Sequence, residues 1–166
     1  MYKASFTVLG LRFQLDLHGE NPRPCETVAD IVQADDAVTA TLQVMRNRAN
    51  EAGGEFTFVC TLSGPVELAG SFENLPRSRH AVLARGDDVP FTVFGFDRQG
   101  GDVVHDIFRR PSWVRAVHDA YQKYDFGPDV DAYYFVAAIR GNVDLALRVE
   151  DLRDAFGGAL PEVAAS

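Results

Sequence analysis

The sequence predicts an α+β fold: a single domain with a mixed or antiparallel sheet built from hairpins, a long helix after the N-terminal strands and a helical pair before a C-terminal hairpin. Apolar runs of strand length, SFTVLGLRFQLDL, EFTFVCTL, FTVFGF and AYYFVAAI, recur along the chain. They fall in pairs separated by turn residues, which favours hairpins over the singly spaced strands of a doubly wound sheet. The 166 residues, 46% hydrophobic and 24% charged, suffice for a core that needs no metal or disulfide. The domain is expected over residues 1–160, with 161–166 as a frayed tail. No internal repeat or interdomain linker is read from the chain.

In the first segment Leu9, Leu11, Phe13 and Leu15 share one parity while Phe6 and Val8 hold the other. The phase changes at Gly10, which marks a bulge in one long strand or a turn between two short ones. HGENPRPC then reads as a loop, because two prolines remove ladder donors. Residues 26–52 read as helix, broken near Asp35 and Asp36, where a carboxylate can cap the second piece. Its apolar stripe is Val38, Leu42, Met45 and Ala49, and Gly53 and Gly54 end it.

Phe56, Phe58, Cys60 and Leu62 alternate, and SGP leads into VELAGSF as the return strand of a hairpin. HAVLA is a short strand. FTVFGF, apolar on both parities, belongs in the middle of a sheet. RQGGD turns into a helix capped by Asp102, with Val103, Val104, Ile107 and Phe108 at helical spacing. A second helix runs from Ser112 to Tyr124, with Trp113, Val117, Ala120 or Tyr121, and Tyr124 on one face. AYYFVAAI and NVDLALRV form a second hairpin around Arg140 and Gly141, and EDLRDAFGG closes the fold as a short helix. The expected core comprises Leu42, Phe56, Phe58, Cys60, Phe91, Val93, Trp113 and Val117.

A net charge of -8 disfavours nucleic acid and anionic lipid as direct partners, since both are bound by neutralising phosphate. Acid concentrates in residues 86–106 and 124–166, which carry net charges of -4 and -5. Of 16 basic residues all but Lys3 and Lys123 are arginine, a bias expected of a GC-rich genome. Cys25 and Cys60 form no C-x-x-C pair, and no disulfide between them is expected. With no apolar stretch of membrane-spanning length and no signal-peptide layout at the start, a cytoplasmic protein is expected.

For chemistry, the strongest local set is Asp102, His105 and Asp106, which a helix would place on one face. Such a set could hold a divalent metal or transfer a proton. The competing reading is stronger: Asp102 caps, Asp106 pairs with Arg110, and His105 is solvated. Asp119 is expected to pair with Arg115. His118 and Asp119 point about 100° apart on a helix and cannot act together, and His18 and His80 lack partners at metal-ligand spacing. G-x-S-x-G, H-E-x-x-H, P-loop, G-x-G-x-x-G and EF-hand patterns are all absent. No cofactor, metal or catalytic residue is therefore assigned.

The remaining lead is acidic and aromatic. Asp125, Asp129 and Asp131 sit with Tyr124, Phe126 and Pro128 in a stretch with no base between Lys123 and Arg140. Uncompensated acids repel one another, whereas an Arg- or Lys-rich partner would gain association rate from them. The expected function is a non-catalytic acidic protein that binds a basic protein surface. That surface could itself be a nucleic-acid site which the protein blocks. Composition is similar to that of small acidic inhibitors, immunity proteins and accessory proteins of GC-rich bacteria and their phages or other mobile elements, without an alignable motif. The partner-binding residues are expected to be Asp125, Asp129, Asp131, Tyr124 and Phe126, with Asp87, Asp88 and Asp97 as a second acidic group. The alternatives are a small metal-dependent or small-molecule enzyme and a subunit of a larger assembly whose sheet edges pair between copies.

Overall fold

The computed structural model describes residues 2–15, 22–49, 55–76, 85–97, 101–124 and 133–162. Their elements run β1 (Ala4–Leu15), β2 (Pro22–Ala34), α1 (Ala37–Arg48), β3 (Glu55–Ser63), β4 (Leu68–Ser71), β5 (Val89–Asp97), β6 (Asp102–Arg110), α2 (Trp113–Tyr124), β7 (Tyr133–Arg140), β8 (Leu145–Arg148) and α3 (Val149–Ala155). A short 3-10 turn, Phe72–Asn74, follows β4. The fold is α+β and its sheets are antiparallel. One sheet has the order β2-β1-β3-β8 and the other β4-β7-β5-β6. They belong to two compact units, residues 1–66 with 144–166, and residues 67–143.

In the first unit β1 is one long strand, and the phase change at Gly10 is a bulge. Leu9 pairs with Cys60 and Gly10 with Phe58, so Val59 is the extra residue on β3. Gly10 is required there, since a Cβ would overlap the Phe56 ring and lie 2.7 Å from the Thr57 carbonyl oxygen.

Residues 22–34 form a strand, not the expected loop and helix. Pro22 and Pro24 pair opposite Leu15 and Phe13. A strand tolerates prolines when it lies at a sheet edge, as β2 does among the described residues, because a donor missing on the outer side breaks no ladder bond. The helix starts only at Ala37, where Asp36 accepts a hydrogen bond of 2.7 Å from the Thr39 amide.

The buried face of α1 is Ala40, Thr41 and Val44. The expected stripe of Val38, Leu42, Met45 and Ala49 is only partly covered or exposed. Thr41 can be buried because its hydroxyl reaches the Ala37 carbonyl at 2.8 Å and the Thr61 hydroxyl at 2.5 Å. These bonds let a face with a polar residue pack on the sheet, where hydrophobicity alone selects another. Phe58 to Leu62 are all buried, so the middle of β3 has no solvent side.

In the second unit β5 is central, between β7 and β6, and Phe91 to Gly95 are buried, as two-sided apolarity predicts. Residues 102–110 correct a larger expectation. They form strand β6, paired with β5 along its whole length from Val89 opposite Arg110 to Asp97 opposite Asp102. The expected helical pair is therefore one strand and one helix. Val103, Val104, Ile107 and Phe108 recur at helical spacing and divide between the two faces of a strand, so periodicity favours the helix, whereas β-branched residues favour the sheet. Helix α2 lies where predicted and buries Ala116, Val117 and Ala120. Phe58, Cys60, Phe91, Val93 and Val117 of the expected core are buried; Leu42, Phe56 and Trp113 are half-buried.

Two expected hairpins do not form. Strand β4 pairs with β7 instead of its neighbour β3, and β8 pairs with β3 instead of its neighbour β7. A repeat makes the exchange possible, contrary to the expectation of none. Phe6-Thr7-Val8-x-Gly10 matches Phe91-Thr92-Val93-x-Gly95, and Asp30-Ile31 matches Asp106-Ile107. Phe58-Val59 matches Phe135-Val136, and Gly64-x-Val66-x-Leu68-Ala69 matches Gly141-x-Val143-x-Leu145-Ala146.

Structure follows the same correspondence. Gly95 pairs with Phe135 after an equivalent bulge, and the Tyr133 ring lies over Gly95 as Phe56 lies over Gly10. Thr7 donates to the Gly64 carbonyl at 2.8 Å, and Thr92 to the Gly141 carbonyl at 2.6 Å. Each repeat is thus ββαβ plus a short fourth strand, and each unit takes its fourth strand from the other repeat.

Candidate interaction surface

The acidic residues divide into those consumed by the fold and those left at its surface. Asp30 holds Arg48 through two bonds of 2.5 and 2.6 Å, and Arg12 pairs with Glu26 at 2.8 Å. Lys123 pairs with Asp106 at 2.7 Å, and Arg110 pairs with Asp119. The last two correct the expected pairs of Asp106 with Arg110 and Asp119 with Arg115. On a strand, Asp106 and Arg110 share the parity of Val104 and Phe108, which pack into the core beneath α2. Each therefore finds its partner on the helix. Among the described residues twelve Asp and Glu are exposed against six Lys and Arg. Pairing within the units leaves an excess of acid outside them.

Asp102, His105 and Asp106 do not form a set. Successive residues of a strand point to opposite faces, which turns His105 away from both acids. His105 stacks instead on Phe94, its cross-strand partner, with ring centroids 5.6 Å apart. Among the described residues no group of three or more His, Cys, Asp or Glu could hold a metal ion, and no helix is long and apolar enough to cross a membrane.

Asp125, Phe126, Asp129 and Asp131 lie outside the described residues, as does HAVLA. Tyr124, expected among the partner-binding residues, packs half-buried against the core of the second unit. It stacks on Tyr133 with centroids 5.1 Å apart, and Tyr121 meets the same ring edge-on at 5.1 Å. Its hydroxyl donates to Asp106. Desolvation, then the hydrogen bond and charge of Asp106, push this hydroxyl well above the ordinary tyrosine range, so it stays protonated as a donor. Tyr124 and Asp106 occupy the places that Arg48 and Asp30 hold in the first repeat.

Asp87 and Asp88 are exposed just before β5, and Asp97 ends that strand. A strand advances about 3.3 Å per residue, so the two ends of β5 stand about 26 Å apart and the three acids do not form one group. At the far end the sheet brings Asp97 directly opposite Asp102. Asp97 also pairs in register with Tyr133, and the Tyr133 ring carries Tyr124. Sequence alone hides this acid pair, because Asp102 looks like a helix cap. The available signal is the spacing of two acids around RQGG, a turn that can close a hairpin as readily as it opens a helix.

Cys60 is fully buried, and desolvation pushes its thiol far above the ordinary range, which removes it from nucleophilic chemistry in the folded state. No family model matches the chain, and no curated protein matches it in sequence.

Proposed function

We propose that this is a non-catalytic binding protein whose acidic surface at the Asp97 and Asp102 end of the second unit takes a basic protein partner. The observation that supports it most is the Asp97–Asp102 pair itself. The register sets two acids on neighbouring strands at one end of the sheet, and a cationic partner seated there would gain association rate and orientation from both. Tyr124 and Tyr133, which bracket residues 125–132 in the chain, stack at that same end. Asp125, Asp129 and Asp131, which follow Tyr124 in the chain, are proposed as further acidic contacts for the same partner. Asp87 and Asp88 are a separate acidic contact. An inhibitor, immunity or accessory role, exercised in the cytoplasm against a partner that normally binds an anion, suits such a surface.

The test uses fluorescently labelled deca-arginine as the cationic probe and measures anisotropy at low and high salt. Wild type is expected to bind with an affinity that falls steeply with salt. Asn at Asp97, Asp102, Asp125, Asp129 and Asp131 should weaken binding at least about tenfold and flatten the salt dependence while the chain still folds cooperatively. Equal affinity and equal salt slope in the variant would refute the surface.

A further inference from the structure

The exchanged strands bring out a difference between the repeats that the fold alone does not require. In both units the fourth strand adds to the same edge. Leu145 pairs with Leu62 and Leu68 with Ile139; Leu147 pairs with Thr61 and Gly70 with Ala138; Arg148 pairs with Cys60 and Ser71 with Ala137. Each ladder has its irregularity at the same step. Each strand is also delivered alike, by a Gly-x-Val turn whose glycine carbonyl is held by a buried threonine. Both strands begin Leu-Ala and are four residues long. Backbone recognition therefore gives neither edge a reason to prefer its own strand.

Size at one position does. Gly70 lies so close to Trp113 that a Cβ there would overlap the indole ring. The corresponding residue of the other strand is Leu147, and the residue of α1 that corresponds to Trp113 is Ala37. Leu147 stands opposite Thr61, whose hydroxyl meets Thr41 of α1, so it lies on the helix face as Gly70 does. The small and large residues have changed places: glycine with tryptophan in one unit, leucine with alanine in the other. Strand β8 carried into the second unit would drive Leu147 into Trp113, and β4 carried into the first would leave a void beside Ala37.

We propose that the outer edges of β3 and β7 are strand-binding sites of common design, and that Gly70–Trp113 and Leu147–Ala37 form a size code that assigns each site its strand. The ligand of each site is a Gly-x-Val-(Asp/Glu)-Leu-Ala strand of this repeat, and the code rejects the wrong one, including that of a second copy of the chain.

A double-mutant cycle on the full chain tests this. Gly70→Leu should lower the thermal midpoint sharply through overlap with the indole, and Trp113→Ala should lower it through a cavity. Gly70→Leu with Trp113→Ala recreates the other unit's solution and should recover at least half of the summed loss. Ala37→Trp with Leu147→Gly should show the same rescue in the first unit. If Gly70→Leu alone fails to fold, folding of the double variant is itself the rescue. Losses that add in either cycle, or a double variant that does not fold, would overturn the code.

Discussion

Replacing Thr7 by valine keeps the shape of a fully buried side chain and removes two hydrogen bonds. The Thr7 hydroxyl donates to the Gly64 carbonyl at 2.8 Å and accepts from the Val66 amide at 2.9 Å. It thereby pins the turn from which the chain leaves the first unit. A buried hydrogen bond contributes about 1 kcal/mol net, and a donor left unsatisfied costs about 1 to 3 kcal/mol. Val66 is half-buried, so the low end applies and Thr7→Val should cost about 2 to 3 kcal/mol. Thr92, equally buried, donates to Gly141 at 2.6 Å. With one such bond, Thr92→Val should cost about 1 kcal/mol. For a chain of 166 residues these losses correspond to falls of about 4 to 12 °C and about 2 to 4 °C in the thermal midpoint. Urea unfolding, with the slope checked for constancy, measures both. A loss below about 0.5 kcal/mol at Thr7, or a larger loss at Thr92 than at Thr7, would refute the reasoning.

Gly10→Ala and Gly95→Ala should each destabilise by about 1 to 3 kcal/mol in urea titrations, because the new Cβ meets an aromatic ring in both; a neutral result at either would place the ring elsewhere. In a Cys25→Ser background, Cys60 should stay unreactive to a thiol reagent until the protein unfolds, since burial holds it protonated. Labelling as fast as in urea would show the strand open. Asp36 accepts from the Thr39 amide, which lowers its carboxyl below the ordinary 3.8. A lowered folded-state pKa means that its cap contributes fully above the unfolded value and is lost as pH falls through the folded one. Asp36→Asn, which caps without titrating, should therefore show a smaller loss of thermal midpoint between neutral and acid pH than wild type. An identical acid slope would contradict the cap.

How much of the fold is legible in the sequence depends on whether a segment's signal is local. Strand β5 is legible because FTVFGF is apolar on both parities, and α2 because its stripe agrees with Ser112, whose hydroxyl accepts from the Arg115 amide. The bulge at Gly10 is visible as a phase change. Strand β2 is not, since Pro22 and Pro24 argue against a ladder unless the strand is known to be an edge, and edge position is a property of the whole sheet. Strand β6 reads as a helix because Val103, Val104, Ile107 and Phe108 recur at helical spacing and alternate on neither face of a strand. That reading creates a histidine-acid set which the strand dissolves.

The repeat is hidden in the sequence because its offset changes. Thr7 corresponds to Thr92, Asp30 to Asp106 and Gly64 to Gly141, at separations of 85, 76 and 77 residues. No fixed period aligns them all, because the segments between equivalent strands differ in length. Of the candidate site, the acidity is legible and the geometry is not. Only the β5–β6 register places Asp97 against Asp102, and only the packing on Tyr133 shows Tyr124 half-buried against the core of the second unit.

The exchange of fourth strands is the claim on which the size code depends, and cross-strand proton contacts in the isotopically labelled full chain test it most directly. Backbone contacts should join Thr61 to Leu147 and Ala138 to Gly70, the pairs set by the two ladders. Contacts from Thr61 to residues 68–71 and from Ala138 to residues 145–148 in their place would show two ordinary hairpins and would contradict the exchange.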